Sequence, residues 1–291
     1  MRNMNSYEII TNSIFEWAKR QENIRAVILI GSRARTSEKT DRWSDLDLLV
    51  IAEDISEYIQ TTSWIHEFGT PLLIFTETAF DGSYERRVLY EGFLDVDFAF
   101  SDPAGHKASL ENEGVRDIFR RGYRLLIDKD DWSSCIDRAC KVPKRHDITS
   151  QTILNEIHDY WYHCVWTAKK LQRGELWTAM NCLNCYMKTK LLRMLERMTT
   201  LSGEQTIDTW HNGRFLEKWA APSIVQRLQG SFSDYDERAL TLALQHQMEV
   251  YHDMASQVAA RQGISYPTDE IQTIRDWILK IGHRGNKNSI S

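Results

Sequence analysis

Ile30-Gly31-Ser32-Arg33-Ala34-Arg35-Thr36, followed after a short spacer by Asp41-Arg42-Trp43-Ser44-Asp45-Leu46-Asp47-Leu48-Leu49-Val50-Ile51, decides how this chain is read. The residues before it, Arg25 to Ile30, are a β-branched run that ends at Gly31 and predicts a buried strand. Glycine lets the backbone approach a ligand closely, and Ser32 adds a hydroxyl and an amide at the start of a helical turn. Both features suit phosphate oxygens. Leu46 to Ala52 predicts a second strand. Asp45 and Asp47 are two residues apart, so on a strand they share a face. Two carboxylates so placed repel each other unless a cation lies between them. A hard, oxygen-ligated ion such as Mg²⁺ fits, with substrate phosphates completing its shell. Either the Gly-Ser turn or the Asp-Leu-Asp alone is a weak signal; the combination is specific.

Working outward, Pro71 to Phe75, Arg87 to Tyr90, Phe93 to Phe100 and Tyr123 to Ile127 predict further strands. Helices are expected over 5–21, 54–67, 103–121 and 131–140. From Thr149 onward the pattern is helical, with periodic segments over 151–172, 175–200, 206–219, 234–262 and 268–282. Asp208, Ser233 or Asp234, and Thr268 are candidate N-caps. The fold class is therefore α+β: a mixed sheet with helices over 1–145, then a helical bundle over 146–291. The hinge is expected within Val142–Ser150.

Composition bounds the function. The chain has 291 residues, 42% hydrophobic and 26% charged, with net charge −5. Residues 1–149 carry −6 and residues 150–291 carry +1. No basic stripe argues for nucleic acid as a partner, and no apolar run is long enough to span a bilayer. The five cysteines are too scattered for a disulfide framework, and the polar N-terminus lacks a signal-peptide core. The expected location is the cytoplasm. Cys182-x-x-Cys185 has no second pair and reads as small apolar residues on a helix. There is no Gly-x-x-x-x-Gly-Lys segment to support a P-loop enzyme.

The Gly-Ser and Asp-Leu-Asp pattern resembles the nucleotidyltransferase fold of DNA polymerase β-like enzymes. More narrowly, the stretch from Gly31 to Ile51 resembles the bacterial aminoglycoside 6-adenylyltransferases, the streptomycin-modifying group. The segment Asp208 to Glu217 and the run Tyr160-Trp161-Tyr162 with Ala168-Lys169-Lys170 resemble that group's helical half. The resemblance implies transfer of AMP from ATP, with Mg²⁺, to a hydroxyl of a cationic aminoglycoside and release of pyrophosphate. It also implies a third carboxylate on a neighbouring strand, which activates the hydroxyl. Asp95 and Asp97 are the candidates, and the hydrophobic pattern around Asp97 fits better. Asp45, Asp47 and Asp97 would hold metal. Gly31, Ser32, Arg33 and Lys188 would meet the nucleotide, with Lys190, Arg35 and Arg42 as weaker cations. Where many relatives have a glycine, this chain has Ala34-Arg35-Thr36-Ser37, so the turn before Asp41 is expected to differ.

The acceptor is expected in a cleft between the halves, near Glu156, Asp159 and Trp161, where carboxylates would meet cationic groups and the indole would stack. His211 reads as a packing residue. Two other functions fit the same residues: nucleotidyl transfer to another acceptor, such as a lincosamide or a protein hydroxyl, and a non-catalytic nucleotide-binding module. The second has no need to sustain the carboxylate repulsion.

Overall fold

A strand that is apolar at nearly every position must be covered on both sides, and β1 (Ile24–Ile30) is such a strand in the computed structural model, with both faces covered. The described residues are 6–35, 40–78, 84–143, 149–201, 208–209 and 211–285. They fall into two units, Met1–His146 and Asp147–Ser291.

In the first unit, α1 (Ser6–Arg20) leads into β1. Then follow β2 (Leu46–Ala52), α2 (Ser56–Gln60), β3 (Pro71–Thr78), β4 (Tyr84–Tyr90), β5 (Leu94–Ser101), α3 (Pro103–Ser109), α4 (Glu113–Arg120), β6 (Arg124–Asp128) and α5 (Trp132–Cys140). The strands form one sheet in the order β3-β4-β5-β2-β1-β6. Its pairings are antiparallel except for β2 with β5, which is parallel and sets Asp47 directly beside Asp97.

Strand alternation sends Leu46, Leu48, Val50, Val96, Phe98 and Phe100 to one face, where they pack with Ile14, Trp17, Trp64 and Phe68. Aromatic rings knit this layer together: Trp64 meets Phe98 edge-on at 5.0 Å. On the other face, Ala26, Ile28 and Ile51 pack against Leu110, Val115, Phe119, Trp132 and Ile136, from α4, α5 and the end of α3. Asp47 and Asp97 lie on that second face.

The second unit comprises α6 (Ser150–Gln172), α7 (Leu176–Asn181), α8 (Met187–Leu201), α9 (Leu216–Trp219), α10 (Pro222–Leu228), α11 (Glu237–Arg261) and α12 (Thr268–Gly285). Its core is built chiefly by α6, α8 and α11. At its centre the Tyr160 and Tyr251 rings stack at 3.5 Å, and the Tyr160 hydroxyl donates to the Gln247 carbonyl at 3.1 Å.

The helix expected over 54–67 is instead α2 plus a 3-10 turn at Ser63–Phe68, because Thr61 is extended. The helix expected over 103–121 breaks at Asn112, whose side chain accepts from the Gly114 amide and caps α4. A π turn at Cys182–Tyr186 interrupts the expected 175–200 helix. Among the described residues of 206–219 only α9 is helical, since Asn212, Gly213 and Phe215 take left-handed backbone. The N-cap of α11 is Asp236 rather than Ser233 or Asp234. The unforeseen α10 begins with Pro222 in its first turn, the position where proline is best tolerated. Residues 144–148 of the expected hinge, Thr36 and Ser37, Ser202 and Gly203, and Trp210 lie outside the described residues.

Candidate active site

Gly31 ends β1 with φ +68° and ψ −152°, a backbone that only glycine adopts without strain. The reason is steric as well as conformational. A Cβ there would sit 1.9 Å from the Asp47 Oδ2 atom. The turn is thus pressed against a site carboxylate, and Ser32–Ala34 follows as a single 3-10 turn. The Ser32 Oγ is buried and makes no hydrogen bond. Such a hydroxyl costs stability unless something meets it, and a phosphate oxygen is a fitting partner.

Asp45, Asp47 and Asp97 converge: one oxygen from each lies within 4.8 Å of the others. Asp45 is exposed, while Asp47 and Asp97 are half-buried. Burial, then the charges of Asp45 and Asp97, push the Asp47 carboxyl up to about 7. Burial also raises Asp97, to about 6; Arg87 partly offsets it, while Glu85 and Asp45 add to it. The protein therefore holds together charges that resist being charged, which is the condition a cation relieves. The donors are all oxygen and can carry three negative charges, the set preferred by Mg²⁺ and its hard relatives. Asp95, the alternative to Asp97, is exposed at the start of β5 and is outside this group.

Arg87 is a neighbour that sequence reasoning missed. It stands opposite Asp97 on β4, with its Nε 3.7 Å from Asp97 Oδ2 and 2.9 Å from Glu77 Oε2. Its other end donates to Glu85 at 3.2 Å. A signal was present: Glu85-Arg86-Arg87 is a charged run leading into the apolar half of a strand segment. Without the register, nothing tied them to Asp97.

The remaining candidates have other partners. The Arg33 guanidinium turns back onto the carbonyls of Asp41, Ser44 and Asp45. Arg42 lies over the exposed Trp43 ring at 4.3 Å.

In the second unit, Lys188 donates to the Ser231 carbonyl and to Gln247 Oε1, and burial brings its amine down to about 8. Beside it the Ser231 and Ser233 hydroxyls and Gln247 Nε2 are buried without hydrogen bonds. Burial works to raise the Asp159 carboxyl, but Lys190, which it meets at 2.5 Å, and the Tyr186 hydroxyl, at 2.9 Å, hold it below the usual range. Glu156 is bound at both oxygens by Arg197.

Trp161 corrects an expectation. It is 2% exposed, edge-on to Tyr160 in the core, and has no open face on which a sugar could stack. Tyr162, next to it, is 65% exposed. Helical periodicity put Trp161 on the buried face of α6, and that face won.

Three converging carboxylates beside a glycine turn fit a nucleotidyltransferase, and that is the class to which the chain belongs. Its likeness to known proteins narrows the class. Residues 4–281 match the streptomycin adenylyltransferase family, and the chain belongs to that family. It is 21% identical over 292 residues to an aminoglycoside 6-adenylyltransferase of Campylobacter jejuni, covering 95% of this chain and 96% of that one. A protein of the same name from Staphylococcus aureus is 22% identical over 282 residues, covering 92% and 95%. The crystal structure of an aminoglycoside 6-adenyltransferase from Bacillus subtilis aligns with a TM-score of 0.46 at 16% identity, covering 96% of this chain and 98% of that one. Among the described residues, no helix is long and apolar enough to cross a membrane.

Proposed function

We propose that the protein transfers AMP from ATP to a hydroxyl of a streptomycin-like aminoglycoside in a Mg²⁺-dependent reaction, releasing pyrophosphate. The observation that carries this is the meeting of Asp45, Asp47 and Asp97 beside the Gly31-Ser32 turn in a chain of this family.

Asp45, Asp47 and Asp97 would hold the metal. When bound, Mg²⁺ supplies charge neutralisation for the attacking and leaving oxygens. Every other role falls to the chain. The Ser32 hydroxyl and the amides of its turn hold the nucleotide's phosphates. Lys188, set among buried hydroxyls and an amide with unmet hydrogen bonds, is a second phosphate-binding candidate. Asp97 accepts the proton of the acceptor hydroxyl at a carboxylate oxygen. Asp95, one strand repeat away and exposed, helps make that end of the sheet acidic. Asp159, on the helical unit, is the carboxylate proposed to meet a cationic group of the acceptor.

The test is pyrophosphate release from ATP-Mg²⁺ with a panel of aminoglycosides, followed by the mass of the product. Release that depends on streptomycin, with an AMP adduct, is expected. Release only with acceptors of other classes, or nucleotide binding without turnover, would overturn the reading.

A further inference from the structure

Asp45 has a positioning problem that Asp47 and Asp97 do not share. The β2–β5 ladder begins at Leu46 opposite Val96, so Asp45 lies just outside the hydrogen-bonded strand. It is also exposed. Neither sheet pairing nor packing fixes where its carboxylate points.

The structure assigns that task to Arg33, with Tyr7 as its platform. Arg33 is a positioning residue. Its Nε donates to the Asp45 carbonyl at 2.8 Å and to the Ser44 carbonyl at 3.1 Å. Its Nη2 donates to the Ser44 carbonyl at 2.5 Å and the Asp41 carbonyl at 3.2 Å. One planar fork thus spans three carbonyls of the segment that delivers Asp45, which itself turns tightly through the Asp41 side chain. The guanidinium lies over the Tyr7 ring, 3.6 Å from its centre. From α1, the Tyr7 hydroxyl accepts the amide of Asp95 at 3.2 Å. A single stack therefore ties the Gly31-Ser32 turn, the approach to Asp45 and the start of β5. Lysine cannot replace the fork, because an ammonium is a point charge without its planar geometry. This inference rests on the proposed reaction only for its effect on turnover; the contacts stand without it.

The experiment compares wild type with Arg33→Met and Arg33→Lys in the full chain. Amide hydrogen exchange is read over 41–46, with 24–30 as an internal control. Mn²⁺ affinity is measured without nucleotide, and kcat and KM for ATP are measured with acceptor. In both variants, uptake over 41–46 should rise while 24–30 stays unchanged. Mn²⁺ binding should weaken about tenfold, and kcat should fall with little change in KM for ATP. Unchanged exchange over 41–46 overturns the inference. So does a pattern in which Mn²⁺ affinity is kept, KM for ATP rises and lysine restores it, since Arg33 would then be a phosphate ligand. If wild type turns over no acceptor while exchange rises as expected, the clamp stands and the proposed function fails.

Discussion

At the scale of single residues, the site trades stability for chemistry. Asp47 is raised to about 7 from an ordinary carboxylate value of 3.8. A carboxyl whose pKa is higher in the folded state binds more protons there, so it subtracts stability as pH rises from about 4 to 7. Asp47→Asn removes that loss. In metal-free protein the variant should melt above wild type at pH 8 by a margin that shrinks towards pH 4, and Mg²⁺ should stabilise wild type but not the variant. Equal melting temperatures at pH 8 would show that folding does not penalise the charge on Asp47.

Gly31→Ala tests the opposite wall. The left-handed backbone alone costs about 1–3 kcal/mol, and the added Cβ would overlap the Asp47 carboxylate. Denaturant unfolding should show at least that loss, with turnover nearly abolished. A variant with wild-type stability and turnover would contradict the close approach.

Elements explain what could and could not be read in advance. β2 was legible because it is a short apolar, partly β-branched run broken only by Asp47, and its bounds fall where that run begins and ends. Asp45 and Asp47 were legible as carboxylates two residues apart where that run begins, although only Asp47 lies within the strand. Parallel pairing of β2 with β5 was not legible, and it is what prefers Asp97 over Asp95. The region over 206–219 misled because Asn212-Gly213 turn chemistry overrides the apolar spacing there.

Trp161 belongs here too. Aromatics at helical spacing give periodicity but no depth, and depth decides between core and ligand surface. Trp161→Ala should destabilise the protein by about 3–5 kcal/mol, as core truncations of large side chains do. A urea titration reads this. A raised KM for the acceptor with unchanged stability would return Trp161 to the binding surface.

For the whole molecule, charge is the informative property. The acidity of the chain is concentrated in residues 1–149, at −6, while residues 150–291 carry +1. An acidic unit attracts a polycationic acceptor over distances that salt screens, with a Debye length of about 10 Å at 0.1 M. If the proposed streptomycin-like acceptor is used, its kcat/KM should fall as ionic strength rises from 0.02 to 0.5 M (a range of about 25-fold, chosen to cross that length). A flat dependence in stopped assays would remove long-range steering from the account.

The central claim is that Asp45, Asp47 and Asp97 form one adenylyl-transfer centre. It is tested most directly by single-turnover formation of the AMP adduct from ATP-Mg²⁺ and aminoglycoside, comparing wild type with Asp45→Asn. The account predicts a loss of about 10²-fold or more, the scale seen when a charge-stabilising group is removed, with the circular dichroism spectrum unchanged. Adduct formation near the wild-type rate in the variant would contradict it.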